Sequence, residues 1–322
     1  FLVCGLHSRY QAFGGYMRQA TIKHCISCEG TGLHGGKKVS LTMRPAADNT
    51  GILFHVRTPE GIQSISPEPD AVIATGLATT LGKNGASVST VEHLLAALRG
   101  LNIDNIHIDV DGGEIPIMDG SAAGFVTLLR EAGIRKQDEA RVVCRIKRPV
   151  RFGKDDKFIV AEPYDGFFVD YTINFPHPAI GTQRLRLDLT PRSFAQVEKA
   201  RTFGFLKDVE TLQSHGLALG GSLDNAIVLD DAQVLNEEGL RYANEFVRHK
   251  LLDFIGDMTM MALPLYGHFT VSCSGHSLNN EFLRHINAHA GQYLERVTLD
   301  EGYTAPAFRP LHRPVEGLPN PA

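Results

Sequence analysis

The sequence predicts an α+β fold in which one arrangement of secondary structure occurs twice. Each half reads as several strands, then a helix, a further strand and a second helix. Hydrophobic residues form 43% of the 322-residue chain and charged residues 21%, as in globular proteins with substantial cores. We therefore expect a two-domain sandwich, with the helices of the two halves packed against each other between two sheets.

The first half begins with two strands, at residues 21–28 and 37–44, joined by a glycine-rich hairpin loop that carries His34. Three glycines of this region match G-x-G-x-x-G, but no helix follows them, so we exclude a dinucleotide-binding site. Residues 62–84 have the pattern of irregular strands and turns. A helix at residues 89–98, a strand at 105–110 and a helix at 121–132 complete this half.

The polar residues 136–140 predict a boundary between the halves. After it, the patterns predict strands at 142–150, 158–161, 167–175 and 184–189, helices at 192–199 and about 240–262, a strand at 267–274 and a helix at 279–290. The expected domains are residues 17–138 and 139–304. Residues 1–16, which precede the first methionine, are expected to lie outside the fold, and the proline-rich residues 305–322 to form an irregular tail.

Charge and cysteine content exclude several classes of protein. The formal net charge of -4 argues against a general nucleic-acid binder. The five cysteines are an odd number and are scattered, which is no disulfide framework and indicates a reducing compartment, the cytoplasm. No apolar run approaches the roughly 20 residues that a membrane-spanning helix needs, so we expect no transmembrane segment.

The segment 244–257 predicts a helix with one apolar face and one face that carries His249, Asp253 and Asp257 at successive turns. An imidazole and a carboxylate one turn apart can bind the same metal ion, although a solvated polar stripe gives the same spacing. Gly256 lies within this helix, where glycine costs about 1 kcal/mol relative to alanine. Its presence indicates that another element approaches the helix closely.

Glu92 and His93 are adjacent on the first helix of the chain. Ser89 and Glu92 form a capping-box pattern, which would explain the glutamate without any catalytic role. Together with His249 and Asp253, however, His93 completes a set of two histidines and one carboxylate. Such a set is typical of zinc hydrolases with a position open for water, and also of non-haem iron oxygenases. A glutamate beside a ligand favours hydrolysis, because it can act as the general base.

A third segment, S-G-H-S-L-N-N, places His276 in a turn between a strand and a helix. Asp257 is expected to orient this imidazole, to raise its pKa and to keep it cationic. His276, the Lys250 ammonium and the Thr202 hydroxyl would each stabilise negative charge on a carbonyl oxygen.

Six motifs, read together, resemble one family, the UDP-3-O-acyl-N-acetylglucosamine deacetylases of lipid A synthesis. The similarity extends from about Met17 to the last helix, and the motifs are S-T-V-E-H-L-L-A-A-L, E-I-P-I-M-D-G-S-A-A, A-R-T-F-G-F, L-N-E-E-G-L-R, F-V-R-H-K-x-L-D-x-I-G-D and S-G-H-S-L-N-N. The resemblance implies a zinc amidase that releases acetate from the sugar nitrogen. It also implies an insert in each domain, the second of which, at about residues 206–231, forms an apolar passage for the acyl chain.

The resemblance implies a role for each matching residue. One essential zinc ion would be held by His93, His249 and Asp253. The catalytic residues would be Glu92 as base, His276 as acid, Asp257 behind it, Lys250 and Thr202. The substrate, an acylated UDP-sugar, would be contacted by Thr202, Phe203, Lys250, Lys157 and Phe175. Cys273 departs from the pattern, because a basic residue is expected there.

Two alternatives remain open on the sequence alone: a zinc deacetylase that acts on another sugar, and a catalytically silent module that binds a nucleotide sugar or a lipid. Retention of Glu92 and His276 beside the ligands argues against the second, since binding needs no base beside a metal. The protein is expected to be a monomer. Gly220 and Gly221 are expected either to let the backbone approach the acyl chain or to form a turn.

Overall fold

The structure, a computed structural model, describes residues 18–300. The predicted extension at residues 1–16 and the predicted tail at 305–322 therefore lie outside the described residues. The strands are β1 (Arg18–Ile22), β2 (Ile26–Thr31), β3 (Lys38–Pro45), β4 (Ile52–Thr58), β5 (Gly61–Ile65), β6 (Val72–Ala74), β7 (Thr80–Lys83), β8 (Ala86–Val88), β9 (Ile106–Asp111), β10 (Ile134–Ile146), β11 (Val150–Lys154), β12 (Lys157–Glu162), β13 (Phe167–Phe175), β14 (Gly181–Asp188), β15 (Phe203–Phe205), β16 (Ile227–Leu229), β17 (Leu265–Ser272) and β18 (Leu294–Leu299).

Four of the five predicted helices are present, whereas the one predicted at residues 192–199 is only a short 3-10 helix. The helices are α1 (Glu92–Gly100), α2 (Ala123–Glu131), α3 (Leu206–Ser214), α4 (Glu245–Met258), α5 (His276–Ala288) and α6 (Ala290–Tyr293). Short 3-10 helices occupy Pro69–Ala71 and Ser193–Gln196. Within residues 18–300, no helix is both long enough and apolar enough to span a membrane.

The strand pairing supports the predicted duplication. In the five-stranded sheet, β9 lies between β3, to which it is antiparallel, and β4, to which it is parallel. In the eight-stranded sheet, β17 is likewise antiparallel to β12 and parallel to β13. Each of these central strands directly follows one helix of its half, α1 or α4, and precedes another, α2 or α5. The α+β fold is therefore confirmed, and the same unit occurs in both halves.

Small additional sheets interrupt both units. Strands β6, β7 and β8 form a three-stranded sheet before α1, and β15 pairs with β16 before α4. The helix α3 lies between β15 and β16, within the predicted second insert. These additions occur on the segments that lead into α1 and α4, so they lie next to the N-terminal ends of both helices.

The predicted boundary between the halves is not a loop in the structure. The predicted boundary falls inside β10, whose first part pairs with β1 and whose last part pairs with β18. A polar stretch can form a strand when its backbone is fully paired, so polarity alone does not indicate a linker. The division at residues 138/139 stays a prediction, and the two halves share a continuous strand.

Several predicted bounds were wrong by a few residues. The segment 21–28 belongs to two strands, because the chain turns between Ile22 and Ile26. In this turn the Lys23 N–H donates to the Gly133 carbonyl oxygen. The long helix is shorter than residues 240–262, and α1 begins at Glu92 rather than at Ser89. Helix ends are fixed by tertiary contacts as much as by local signals, which explains these shifts.

Helix α4 lies at the centre of the molecule. Its predicted apolar face is completely buried and consists of Phe246, Val247, Leu251, Leu252, Phe254 and Ile255. One side contacts β13 and β14, and another packs on α1. Gly256 faces the backbone of Glu92 so closely that an added Cβ atom would overlap the Glu92 carbonyl oxygen. The close approach that Gly256 predicts is therefore present, and the neighbouring element is α1.

Replacing Gly256 with alanine tests this contact. We expect Gly256→Ala to destabilise the protein by about 1–3 kcal/mol, because overpacking against a backbone atom outweighs the roughly 1 kcal/mol gain in helix propensity. Urea unfolding monitored by circular dichroism measures the difference. Gly291→Ala is the matched control, since a Cβ atom there meets open space. A Gly256→Ala protein as stable as the parent would show that the two helices can separate freely.

Candidate active site

A cleft of about 1100 Å³ lies between the two halves and is lined by residues of both. Ten of the residues predicted from the sequence line it: Glu92, His93, Lys157, Phe175, Thr202, Phe203, His249, Lys250, Asp253 and His276. Asp257, the remaining one, is fully buried and contacts His276 from behind. The structure thus brings the whole predicted set together in one place.

The two histidines and Asp253 converge from α1 and α4. The Oδ1 atom of Asp253 lies 3.5 Å from His93 Nε2 and 3.2 Å from His249 Nε2. The two imidazole rings meet edge to face, with centroids 5.0 Å apart. All three side chains are buried, and their ligand atoms lie within 4.8 Å of one another. Two imidazole nitrogens and one carboxylate oxygen at this spacing suit a single divalent metal ion.

The protonation of these groups fits metal binding. His249 Nδ1 donates to the Ala200 carbonyl at 3.0 Å, which leaves its Nε2 lone pair directed to the cluster. Burial lowers the pKa of His249 to about 4, so the imidazole is neutral at pH 7. Burial would raise the pKa of Asp253, but His249 and Lys250 together hold it well below its usual value.

The two oxygens of Asp253 have different surroundings. Lys250 Nζ donates to Oδ2 at 3.0 Å, whereas Oδ1 is buried and accepts no hydrogen bond from any described residue. An ionised carboxylate oxygen that is buried without a partner is costly, and a cation at this position would satisfy it. The residues present therefore fit a metal ion, and the orphaned Oδ1 is the observation that indicates one.

Glu92 does not cap its helix, so the capping-box prediction was wrong. No side chain caps the start of α1, and Glu92 Oε2 instead accepts from the backbone N–H of Thr79 at 3.0 Å. The other oxygen, Oε1, lies 3.8 Å from His276 Nε2, at the cleft. Burial raises the pKa of Glu92, although His276 and His93 oppose the rise. A carboxyl group with a raised pKa accepts a proton more readily.

His276 is held from behind by a buried network. Its Nδ1 donates to Asp257 Oδ2 at 2.8 Å, and the same oxygen accepts from Asn279 at 2.7 Å. Thr79 Oγ1 donates to the other Asp257 oxygen at 2.9 Å. Burial lowers the pKa of His276, but the Asp257 and Glu92 carboxylates outweigh it and bring the pKa to about 9. The imidazole is therefore cationic at neutral pH.

The segment A-R-T-F-G-F is positioned by an ion pair that is almost completely buried. Arg201 donates from its backbone N–H and from Nε to Glu245 Oε1, both at 3.0 Å, at the start of α4. This pairing anchors Ala200, the acceptor of His249, and Thr202, which faces the cleft. Phe203 and Phe175 pack edge to face in the cleft wall, with centroids 5.6 Å apart.

Two features noted in the sequence can be placed relative to the cleft. The glycine pair Gly220 and Gly221 does not line the cleft; Gly220 packs on the backbone of Gly32 and donates to Leu33 O. The close approach that the structure shows is between two loops, and the acyl passage stays a prediction. Cys273 lines the cleft with a φ of 48°, in the left-handed region, and its side chain supplies no positive charge there.

Sequence reasoning missed two polar residues of the site. Thr79 holds both Glu92 and Asp257, but it lies in a short loop segment with no motif of its own. His34 lines the cleft, and both of its ring nitrogens are buried without a hydrogen-bond partner among the described residues. Burial lowers its pKa, although Glu114 opposes this. Its position within a glycine-rich loop was the available signal.

Comparison with known proteins agrees with the geometry. The family model described as UDP-3-O-acyl N-acetylglycosamine deacetylase matches residues 19–288. Proteins named UDP-3-O-acyl-N-acetylglucosamine deacetylase are similar along nearly their whole length. The one from Nitratidesulfovibrio vulgaris is 62% identical over 305 residues, 94% of this chain and 99% of the relative.

Two further relatives with the same name extend the comparison. The protein from Oleidesulfovibrio alaskensis is 63% identical over 286 residues, 88% of this chain and 94% of the relative. The protein from Lawsonia intracellularis is 52% identical over 305 residues, 94% of this chain and 100% of the relative. Since the family model covers most of the described residues, the chain belongs to the UDP-3-O-acyl N-acetylglycosamine deacetylase family.

Proposed function

We propose that this protein is a zinc-dependent hydrolase that removes the N-acetyl group of UDP-3-O-(3-hydroxyacyl)-N-acetylglucosamine and releases acetate. This reaction would place it in lipid A biosynthesis, in the cytoplasm. The observation that carries the proposal is the buried His93, His249 and Asp253 cluster with its orphaned Oδ1 atom, next to Glu92 and a cationic His276. The family and the names of the relatives supply the substrate.

The donor set favours zinc among the divalent metals. Two neutral imidazoles and one carboxylate are a common ligand set of hydrolytic zinc sites, which keep one position open. Bound zinc would polarise a carbonyl oxygen and lower the pKa of a water molecule. His93, His249 and Asp253 would hold it, and the Ala200 carbonyl would fix the orientation of His249.

The side chains around the cluster can carry both proton transfers of amide hydrolysis. Glu92 Oε1 faces the cleft and would accept a proton from water, while the Thr79 N–H holds the other oxygen. The water oxygen then forms a bond to the acetamide carbonyl carbon. Protonated His276 would donate its Nε2 proton to the sugar nitrogen as the carbon–nitrogen bond breaks. The products are acetate and the free amine.

Positive charge and a hydroxyl group surround the reacting carbonyl. Lys250 is partly buried, and although burial lowers its pKa, Asp253 more than compensates, so the ammonium stays charged. Thr202 lines the same cleft. Lys157 and Phe175 line the cleft and would contact the UDP group, while the apolar Leu33, Leu77 and Phe205 would contact the acyl chain. Donors already in position stabilise an oxyanion without reorganisation.

Acetate release from the acylated UDP-sugar tests the function. The purified protein should release acetate, a chelator should abolish the release, and added zinc should restore it. A substrate without the acyl chain should react far more slowly, because each buried methylene contributes about 0.8 kcal/mol and two therefore change kcat/KM about tenfold. Equal rates on both substrates would instead favour a deacetylase for another sugar.

Zinc binding tests the cluster without reference to turnover. His93→Ala, His249→Ala and Asp253→Ala should each weaken zinc binding by more than about 100-fold, because losing even an outer-shell partner of a metal site costs 10–100-fold. Metal content after dialysis against buffered zinc measures this. His268→Ala is the control, since His268 is half-buried and contacts Glu162 away from the cleft. Full zinc content in the three variants would show that this cluster is not the zinc site.

Glu92→Gln separates proton transfer from structure. The amide oxygen of glutamine can still accept from Thr79 N–H, so we expect an unchanged melting temperature and zinc content. Turnover should fall by roughly 10²–10⁴-fold, because an amide cannot accept the proton from water. Glu281→Gln, at the exposed rim of the same cleft, should retain activity within about tenfold of the parent. Comparable losses in both variants would contradict the role of Glu92 as the base.

The pH dependence of kcat/KM reports on His276. Because its pKa is raised to about 9 and the cationic form is the active one, activity should fall on the alkaline side near that pH. Asp257→Asn removes the charge that raises this pKa and should move the alkaline limb to lower pH. His276→Ala should remove the limb altogether at low residual turnover. A limb that stays in place in both variants would mean that another group titrates.

A further inference from the structure

A second cavity, of about 340 Å³, lies at the other ends of the helices that carry the active site. Its lining includes Arg99 near the end of α1, Thr259 just after α4, Arg141 and Val142 of β10, and Arg296 of β18. None of its lining residues also lines the catalytic cleft. Its volume falls within the range of small-molecule binding pockets.

Arg99 is a buried cation with few polar partners. The residue is only 8% exposed, and its guanidinium makes one hydrogen bond, from Nη2 to the Leu265 carbonyl at 3.2 Å. It forms no salt bridge with any residue in the described range 18–300. The ring centroids of Phe167 and Tyr266 each lie 5.6 Å from the Arg99 Cζ atom. Burial lowers the pKa of Arg99 and nearby Arg141 adds to this, whereas Tyr266 and the Asp104 carboxylate partly oppose the fall.

Other buried arginines of this protein are paired. Arg141 donates to Asp104 from Nε and Nη2, and Arg201 donates to Glu245 and Glu238. Burying a charge is costly unless an opposite charge and hydrogen bonds compensate it. Arg99 also lies at the C-terminal end of α1, where the helix dipole favours a cation, but that effect is small compared with the cost of desolvation. Arg99 is therefore the one of the three buried arginines in residues 18–300 that has no direct ion pair.

The charges around the cavity indicate which anion would fit. Arg99, Arg141 and Arg296 line it, against the carboxylates of Asp104 and Glu68. Asp104 is already bound by Arg141 and by the Ala20 N–H, and Glu68 is exposed at the surface. The excess is one positive charge, which matches a singly charged carboxylate better than a doubly charged phosphate.

About half of the remaining lining residues are apolar. They include Ile52, Ile103, Met261, Leu263 and Pro264. A bare inorganic anion would leave these surfaces without contact, whereas a short alkyl chain would bury them. We propose that this cavity binds a small organic carboxylate, with its carboxylate on the Arg99 guanidinium and its alkyl part against the apolar wall.

Calorimetric titration of the zinc-loaded full-length protein with sodium hexanoate tests the site, at ionic strength held constant with chloride. Hexanoate should bind saturably, and inorganic phosphate and uncharged hexanol should each bind at least tenfold more weakly. Arg99→Met keeps the apolar stem and removes the charge. It should weaken hexanoate binding roughly 10- to 100-fold, because a charge-assisted pair with the carboxylate is lost. Hexanoate held in the catalytic cleft would bind Arg99→Met as tightly as the parent.

Two further variants keep the test independent of folding. Arg296→Met removes an exposed charge that lines the cavity and should weaken hexanoate binding several-fold with an unchanged melting temperature. Arg148→Met removes an exposed charge outside both cavities and should bind hexanoate as the parent does. Absence of saturable binding to the parent, equal affinity for hexanol, or unchanged affinity in both Arg99→Met and Arg296→Met would overturn the proposal.

Discussion

The close crossing of α1 and α4 is the contact on which the active site depends. At Gly256 the backbones of the two helices touch, since no side chain separates the glycine from the Glu92 carbonyl oxygen. This spacing brings His93 of α1 within reach of His249 and Asp253 of α4. A larger residue at position 256 would move the helices apart, and the ligand atoms would then no longer converge.

Burial is the second constraint, because most charged groups around the cluster are buried or nearly so. Each of them is compensated by a specific neighbour: Lys250 by Asp253, and His276 by Asp257. Thr79 donates to Glu92 with its backbone and to Asp257 with its side chain. One loop residue therefore fixes the position of Glu92 relative to the Asp257–His276 pair.

The sequence predicts those features that follow from helical periodicity. His249, Asp253 and Asp257 share one face of α4 because they are four residues apart, and Gly256 indicates a close neighbour. The roles of Thr79 and of Ser89 could not be predicted, since a backbone contact from a distant loop displaced the expected local cap. The path of β10 across the predicted boundary depends on pairing with β1 and β18, which local polarity does not encode. The unpaired charge of Arg99 likewise becomes visible only when its surroundings are known.

Because His93 lies on α1 and His249 and Asp253 lie on α4, a metal ion held by these three residues would be linked to folding. Neither half of the chain contains all three ligands, so a chain in which the two helices have not docked lacks a site. An ion that binds only the docked state stabilises it in proportion to the logarithm of the ion concentration. Contacts between residues so far apart in the chain also form late in folding. Binding of the ion would therefore accompany the last step of folding. A shortage of metal would weaken the association of the two halves.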